Sequence, residues 1–175
     1  MWSTLFKGLY QYNGELTDVL DDSLVKKNDT VVLHQYPSKI NVRQVYVNSN
    51  IKFKLPKHHN LKQILHDDGL FANKNIDEIP HLKECISKVK CFHYQVDSFI
   101  SEYENVDPYR SGTLIYIPPG KYTGGTLSIM DGSTPVKFES SMKGVLLYAA
   151  NFLKHSVSPV ESGLRVSYTS KVYYN

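Results

Sequence analysis

The chain has 175 residues, 41% of them hydrophobic and 21% charged, with a formal net charge of +3. That length can bury a sizeable core without disulfide or metal staples, and the composition is that of a folded domain rather than a disordered or membrane-embedded chain. The Lys residues are scattered among acidic neighbours with no basic run, so the charge gives no ground for a nucleic-acid partner. No basic leader precedes an apolar stretch at the N-terminus, and no segment approaches the roughly 18 uninterrupted apolar residues of a membrane span. An intracellular, cytoplasmic protein without a membrane partner is therefore expected. Cys85 and Cys91 lack CxxC or zinc-site spacing and read as reduced thiols.

In chain order, residues 30–33, 42–47 and 51–55 alternate β-branched and polar side chains, which predicts an accessory sheet closed by Pro56. Two helical patterns follow, a short one at 61–65 and a longer one at 76–89, where Ile79, Leu82, Ile86 and Val89 recur at helical spacing. From Lys90 the texture changes to short runs at 91–96, 112–117, 125–129, 136–139, 144–149, 156–160 and 164–174. Turn signals at Pro118-Pro119-Gly120, Gly124-Gly125 and Asp131-Gly132 break them. The pattern predicts a mainly β fold with flanking helices, a sandwich or jelly roll, and the 13 tyrosines suit its strands. No linker divides the chain, so one domain over 1–175 is expected, with accessory strands and helices in 1–87 and the core in 88–175. The Lys-, Asn- and Tyr-rich, Ala-poor usage suits an AT-rich genome, such as that of a virus.

The segment from Lys154 to Tyr168 carries the most chemical meaning. His155 lies on one predicted strand, Glu161-Ser162-Gly163 reads as a turn, and Arg165 lies on the next strand, so a hairpin would bring an imidazole and a guanidinium to one cavity. An imidazole suits Fe(II) and a guanidinium holds a carboxylate bidentately, so the pair fits a metal-chelating 2-oxoacid. Ser167, two residues beyond Arg165, shares its strand face and offers a hydroxyl. Taken alone, a strand histidine and an arginine at this spacing are more often structural. Tyr116, on a predicted core strand, is placed either to reach the oxoacid or to fill the core.

These residues stand in an order that resembles the prolyl-hydroxylase-like Fe(II)/2-oxoglutarate oxygenases. In that family a strand bearing the distal His ligand is followed, one short connection later, by an Arg-x-Ser that binds 2-oxoglutarate, as in His155 and Arg165-Val166-Ser167. The stretch from Arg110 to Ile129 is similar to the family's core strand, loop and Gly-Gly-x-Leu turn, and residues 144–155 look like the apolar strand that leads into the distal ligand. The resemblance covers residues 88–174. It implies a double-stranded β-helix (jelly roll), Fe(II) and 2-oxoglutarate as cofactors, and hydroxylation of a protein or small-molecule partner. His155 would be a metal ligand, with Arg165 and Ser167 on the oxoacid.

The family's other ligands form a His-x-Asp motif that belongs between Tyr94 and Gly112, where this sequence has no histidine. An ungapped register puts Tyr103-Glu104-Asn105 in its place. Sliding by two puts Asn105-Val106-Asp107 there, with Arg110 three residues on, and keeps Asp107 as a carboxylate ligand. His93 is expected to be structural, His58-His59 and His66-Asp67-Asp68 solvated, and Lys121 and Tyr122 to lie in a loop, placed to contact a substrate but more readily exposed to solvent. Three functions stay open: an active dioxygenase with His155 and Asp107 on iron, a jelly roll that has lost iron and serves as an inactive binding or structural module, and a sandwich unrelated to oxygenases.

Overall fold

The computed structural model describes residues 1–16, 19–20, 31–33, 39–45, 53–55, 60–70, 75–78, 81–103, 110–132 and 134–173. Its strands are β1 (Trp2–Phe6), β2 (Leu9–Tyr12), β3 (Val31–Leu33), β4 (Lys39–Val45), β5 (Lys90–Tyr103), β6 (Arg110–Ile117), β7 (Tyr122–Gly124), β8 (Leu127–Met130), β9 (Val136–Phe138), β10 (Val145–Ala150), β11 (Lys154–Val157), β12 (Val160–Gly163) and β13 (Arg165–Tyr173). Helices α1 (Leu61–Asp67) and α2 (Leu82–Cys85) flank them.

Strand β5 organises the fold because it belongs to two layers. Its first half, Lys90 to Tyr94, pairs with β13, while Ile100 and Tyr103 pair with β11. The change of partner falls at Asp97, whose φ of 71° is rare for a residue other than glycine but tolerable for Asp. One layer then runs β1-β2-β10-β6-β13 and the first half of β5, and the other runs from the second half of β5 through β11 and β8 to β9. A separate pair, β12 with β7, closes one end. This is a double-stranded β-helix with antiparallel pairing throughout.

Strand β10, Val-Leu-Leu-Tyr-Ala-Ala, is buried at every position. Such an apolar run without alternation marks a strand covered on both faces. One face of the β10 layer meets the opposing layer, where Leu127, Ile129, Val157 and Val160 are buried in the same core. The other is covered at Tyr10 and Tyr148, whose rings lie 6.0 Å apart, by the end of α1, where the Tyr10 hydroxyl donates to Asp68. Leu61 and Leu65 of α1 are fully buried, as the short helical pattern predicts.

Three expectations change. The predicted accessory strands do not make a sheet of their own: β4 pairs directly with β5 and β3 with β4, so they extend the jelly roll. The third predicted strand, 51–55, is not one over its described part, 53–55. The longer helical pattern yields only a 3-10 turn at Ile76–Glu78 and the four residues of α2, and Ile86 is already extended, bridging to Val172. Its apolar spacing reflects packing against β13 rather than helix, and Pro80, which offers no N–H, interrupts the pattern. At the N-terminus, the β1-β2 hairpin, without a clear sequence signal, adds to the edge of the layer through β10. Cys85 and Cys91 are free and buried. Among the described residues, no helix is long and apolar enough to cross a membrane.

Candidate functional site

Alternation along β13 places Arg165 and Ser167 on the inner face and Val166 and Tyr168 on the outer one. Arg165 is 1% exposed, and among the described residues its Nε and Nη1 atoms have no hydrogen-bond partner. Its guanidinium lies 4.6 Å from the ring centroid of Tyr94, its cross-strand partner on β5. A buried cation with two unpartnered nitrogens against an aromatic face has shed much of its hydration for a modest return.

Tyr122 completes this corner. It is buried, its hydroxyl lacks a hydrogen-bond partner of good geometry, and burial pushes its pKa up while the neighbouring Arg165 charge draws it back down. The phenol is therefore a neutral donor at physiological pH. The sequence reading placed Tyr122 in an exposed loop; instead it forms a strand with β12, Tyr122 pairing Gly163, and turns its ring inward. The signal available in the sequence was Gly124-Gly125, next to it. A Cβ on Gly125, whose φ is +58°, would lie 3.1 Å from Arg165 Cδ and 3.4 Å from the Tyr122 ring. Glycine there lets the arginine stem and the phenol meet.

His155 sits on β11, 3% exposed, with its backbone paired to Ile129 on β8 and Tyr103 on β5. Burial lowers its pKa to about 4; hydrogen bonding to the Leu153 backbone opposes the shift and the nearby Arg110 charge adds to it. The imidazole is neutral above that pH, the form that binds metal. In the metal-free protein the unfolded histidine takes up a proton near pH 6.5 and the folded one only near pH 4. The unfolded state thus binds more protons in this window, and stability falls as pH drops. Between pH 7 and pH 5 this group alone should cost about 2 kcal/mol. Urea unfolding of the wild type and of His155→Gln checks this: the difference between the two should shrink at pH 5, and parallel losses would refute it.

The hairpin expected to join His155 and Arg165 is not formed. Strands β11 and β13 do not pair with each other; both pair with β5, at Tyr103 and at Tyr94. The two residues reach one barrel interior from different layers, with the 161–163 segment forming β12 rather than a bare turn. Tyr116 lies away from Arg165: it pairs with Tyr168, and their rings stack at 6.1 Å on the outer face of β13. His93 lies on that outer face too, opposite Val166, lining a cavity of about 170 Å³ with Pro118, Tyr122 and Tyr168. His66 lies on α1 with Nδ1 3.5 Å from Asp67. Asp107, Glu104, Asn105, His58 and His59 lie outside the described residues. The pairing of Tyr103 with His155 puts the backbone of the ungapped register opposite the distal histidine. Among the described residues, no three His, Cys, Asp or Glu side chains converge as a metal site.

No family model and no curated protein matches the sequence. Solved structures do match the fold. A Trichoplax adhaerens prolyl hydroxylase, in complex with a hypoxia inducible factor oxygen degradation domain peptide, is 14% identical, with 95% of this chain and 84% of that chain covered at a TM-score of 0.59. A Burkholderia pseudomallei oxidoreductase of the 2OG-Fe(II) oxygenase family is 14% identical, with 88% and 77% covered and a TM-score of 0.55. OsALKBH1 is 12% identical, with 97% and 100% covered and a TM-score of 0.50. The chain has the jelly-roll fold of the 2-oxoglutarate/Fe(II) oxygenases.

Proposed function

We propose that this chain is an Fe(II)/2-oxoglutarate dioxygenase-like protein whose oxoacid site is intact and whose iron site is reduced to His155 and Asp107. The observation that carries the reading is the buried Arg165 guanidinium, without a hydrogen-bond partner at Nε and Nη1, facing the equally unpartnered hydroxyl of Tyr122. A carboxylate entering there would receive charge-assisted hydrogen bonds from the guanidinium and a neutral hydrogen bond from the phenol. Ser167, buried on the same strand face, offers a second hydroxyl. The arrangement fits the far carboxylate of 2-oxoglutarate. His155, kept neutral by burial, fits one position on a divalent metal. When both are bound, iron and 2-oxoglutarate supply oxidising chemistry from dioxygen; the chain's own residues fix the oxoacid, keep the imidazole unprotonated and exclude water from the carboxylate.

A second reading has an observation of its own. The backbone position opposite His155 belongs to Tyr103, and the sequence from Tyr94 to Gly112 holds no histidine. A jelly roll that keeps the oxoacid but has lost the metal would act as a binding module. Calorimetric titration with 2-oxoglutarate, first alone and then with Fe(II) under anaerobic conditions, decides. Binding of the oxoacid together with a visible metal-to-oxoacid charge-transfer band supports the dioxygenase reading. Oxoacid binding without that band supports the module, and no binding at millimolar ligand refutes both.

A further inference from the structure

Strand β6 pairs with β13 only from Tyr168 onward. Among the described residues, the start of β13, Arg165 to Ser167, therefore has β5 on one side and no paired strand on the other. After Ile117 the chain that would extend β6 reads Pro118-Pro119-Gly120, and proline has no N–H with which to continue a ladder. The interruption leaves a cavity of about 170 Å³ walled by Pro118, Pro119, Gly120, Leu164, Val166 and Tyr122.

Tyr122 stands between this cavity and the arginine. One edge of its ring faces the cavity side, where a Cβ on Gly120 would lie 3.8 Å from Cδ1. The opposite edge faces the arginine stem: a Cβ on Gly125 would lie 3.4 Å from Cε2 and 3.1 Å from Arg165 Cδ. Behind the ring, Arg165 is shut off from solvent. The ring has space to leave, since a cavity of about 150 Å³ accepts a benzene molecule. Gly163, the cross-strand partner of Tyr122, lacks the Cβ that would stand 3.2 Å from Tyr122 Cβ. The side chain can thus change rotamer while the β7-β12 pair stays in place.

We infer that Tyr122 is the gate of the Arg165 corner, its ring swinging into the cavity beside Pro118-Pro119-Gly120 to admit a ligand and returning to close on it. For the identity of the ligand this rests on the proposed oxoacid site, to which it adds the side of entry and the residue that controls it. The gate itself can be tested without any oxoacid.

Arginine labelling of the full chain with butanedione, read at each arginine by peptide mass spectrometry, provides that test. A minor open state is populated at about 0.1 to 10%, so Tyr122→Ala should speed labelling of Arg165 by about tenfold or more. Tyr122→Phe keeps the ring and should label close to the wild-type rate. Val166→Phe fills the space into which the ring moves and should suppress most of the wild-type labelling; it carries the test alone if Tyr122→Ala fails to fold. Labelling of Arg110 should be the same in all of these proteins, which separates a gate from a general loosening of the fold. Wild-type labelling in Tyr122→Ala or in Val166→Phe, labelling of Tyr122→Phe as fast as Tyr122→Ala, or a parallel rise at Arg110 would each overturn the inference. Added 2-oxoglutarate should protect Arg165 in the wild type. Loss of that protection with the labelling order intact would overturn the oxoacid reading and leave the gate standing.

Discussion

Arg165→Met should make the ligand-free protein more stable by about 2 kcal/mol while abolishing 2-oxoglutarate binding. The wild-type side chain is 1% exposed and holds a full charge whose Nε and Nη1 atoms lack partners. Burying a cation costs several kcal/mol, and the Tyr94 face returns about 1 to 2 of them. Methionine keeps an unbranched apolar stem beside Gly125 without the charge. A guanidinium with a purely structural role behaves oppositely: its loss destabilises by about 3 kcal/mol or more. Chemical denaturation of the two proteins without ligand, together with calorimetric titration of 2-oxoglutarate, separates the outcomes. Gain of stability with loss of binding is the signature of a residue retained for its ligand.

Gly124→Ala should destabilise the fold by about 3 kcal/mol. Its φ is +69°, and a Cβ would stand 2.3 Å from the Pro159 carbonyl oxygen and 2.8 Å from the Glu161 nitrogen. Both atoms are backbone, so neither can swing away, and relief requires separating β7 from β12, which pair at Gly124 and Val160. The left-handed conformation adds about 1 kcal/mol for a residue with a Cβ. Because Tyr122 is held by the same pairing, the corner it forms with Arg165 should loosen with it. Gly120→Ala is the matched control: the nearest atom to its Cβ would be 3.8 Å away, and its unfolding midpoint should match wild type. Equal midpoints for the two variants would remove the structural role assigned to Gly124.

The strands from Lys90 onward were legible because each is short, β-rich and bounded by glycine or proline, which are local properties. The exception is instructive. The run at 91–96 is only the first part of β5, which continues to Tyr103 through the bend at Asp97 without a glycine or proline to mark it. That bend carries the strand from one layer to the other, and its cause is the pairing of both halves with different partners. The failed helix over 76–89 has the opposite origin, a helical spacing of apolar residues whose tertiary contacts favour extended chain beside β13.

Half of the site was legible for the same local reasons. Arg165 and Ser167 are two residues apart on one strand, so their common face follows from strand geometry, and the double glycine announced a close approach. Tyr122 was not legible, because its burial depends on β12 returning beside β7. Tyr116 stayed open between the two faces because nothing in one strand tells which of them is the interior; its pairing with Tyr168 puts it on the face away from Arg165.

The sequence by itself determined a mainly β chain, the order of its strands, and the imidazole, guanidinium and hydroxyl that strand periodicity sets at 155, 165 and 167. Only the tertiary structure decided that His155 and Arg165 approach from opposite layers through β5 and that Tyr122 closes on the arginine. The reason is physical: alternation is a property of one strand, whereas register, bulges and the choice of partner strand arise between segments far apart in the chain, and they are settled by which pairing buries the most apolar surface.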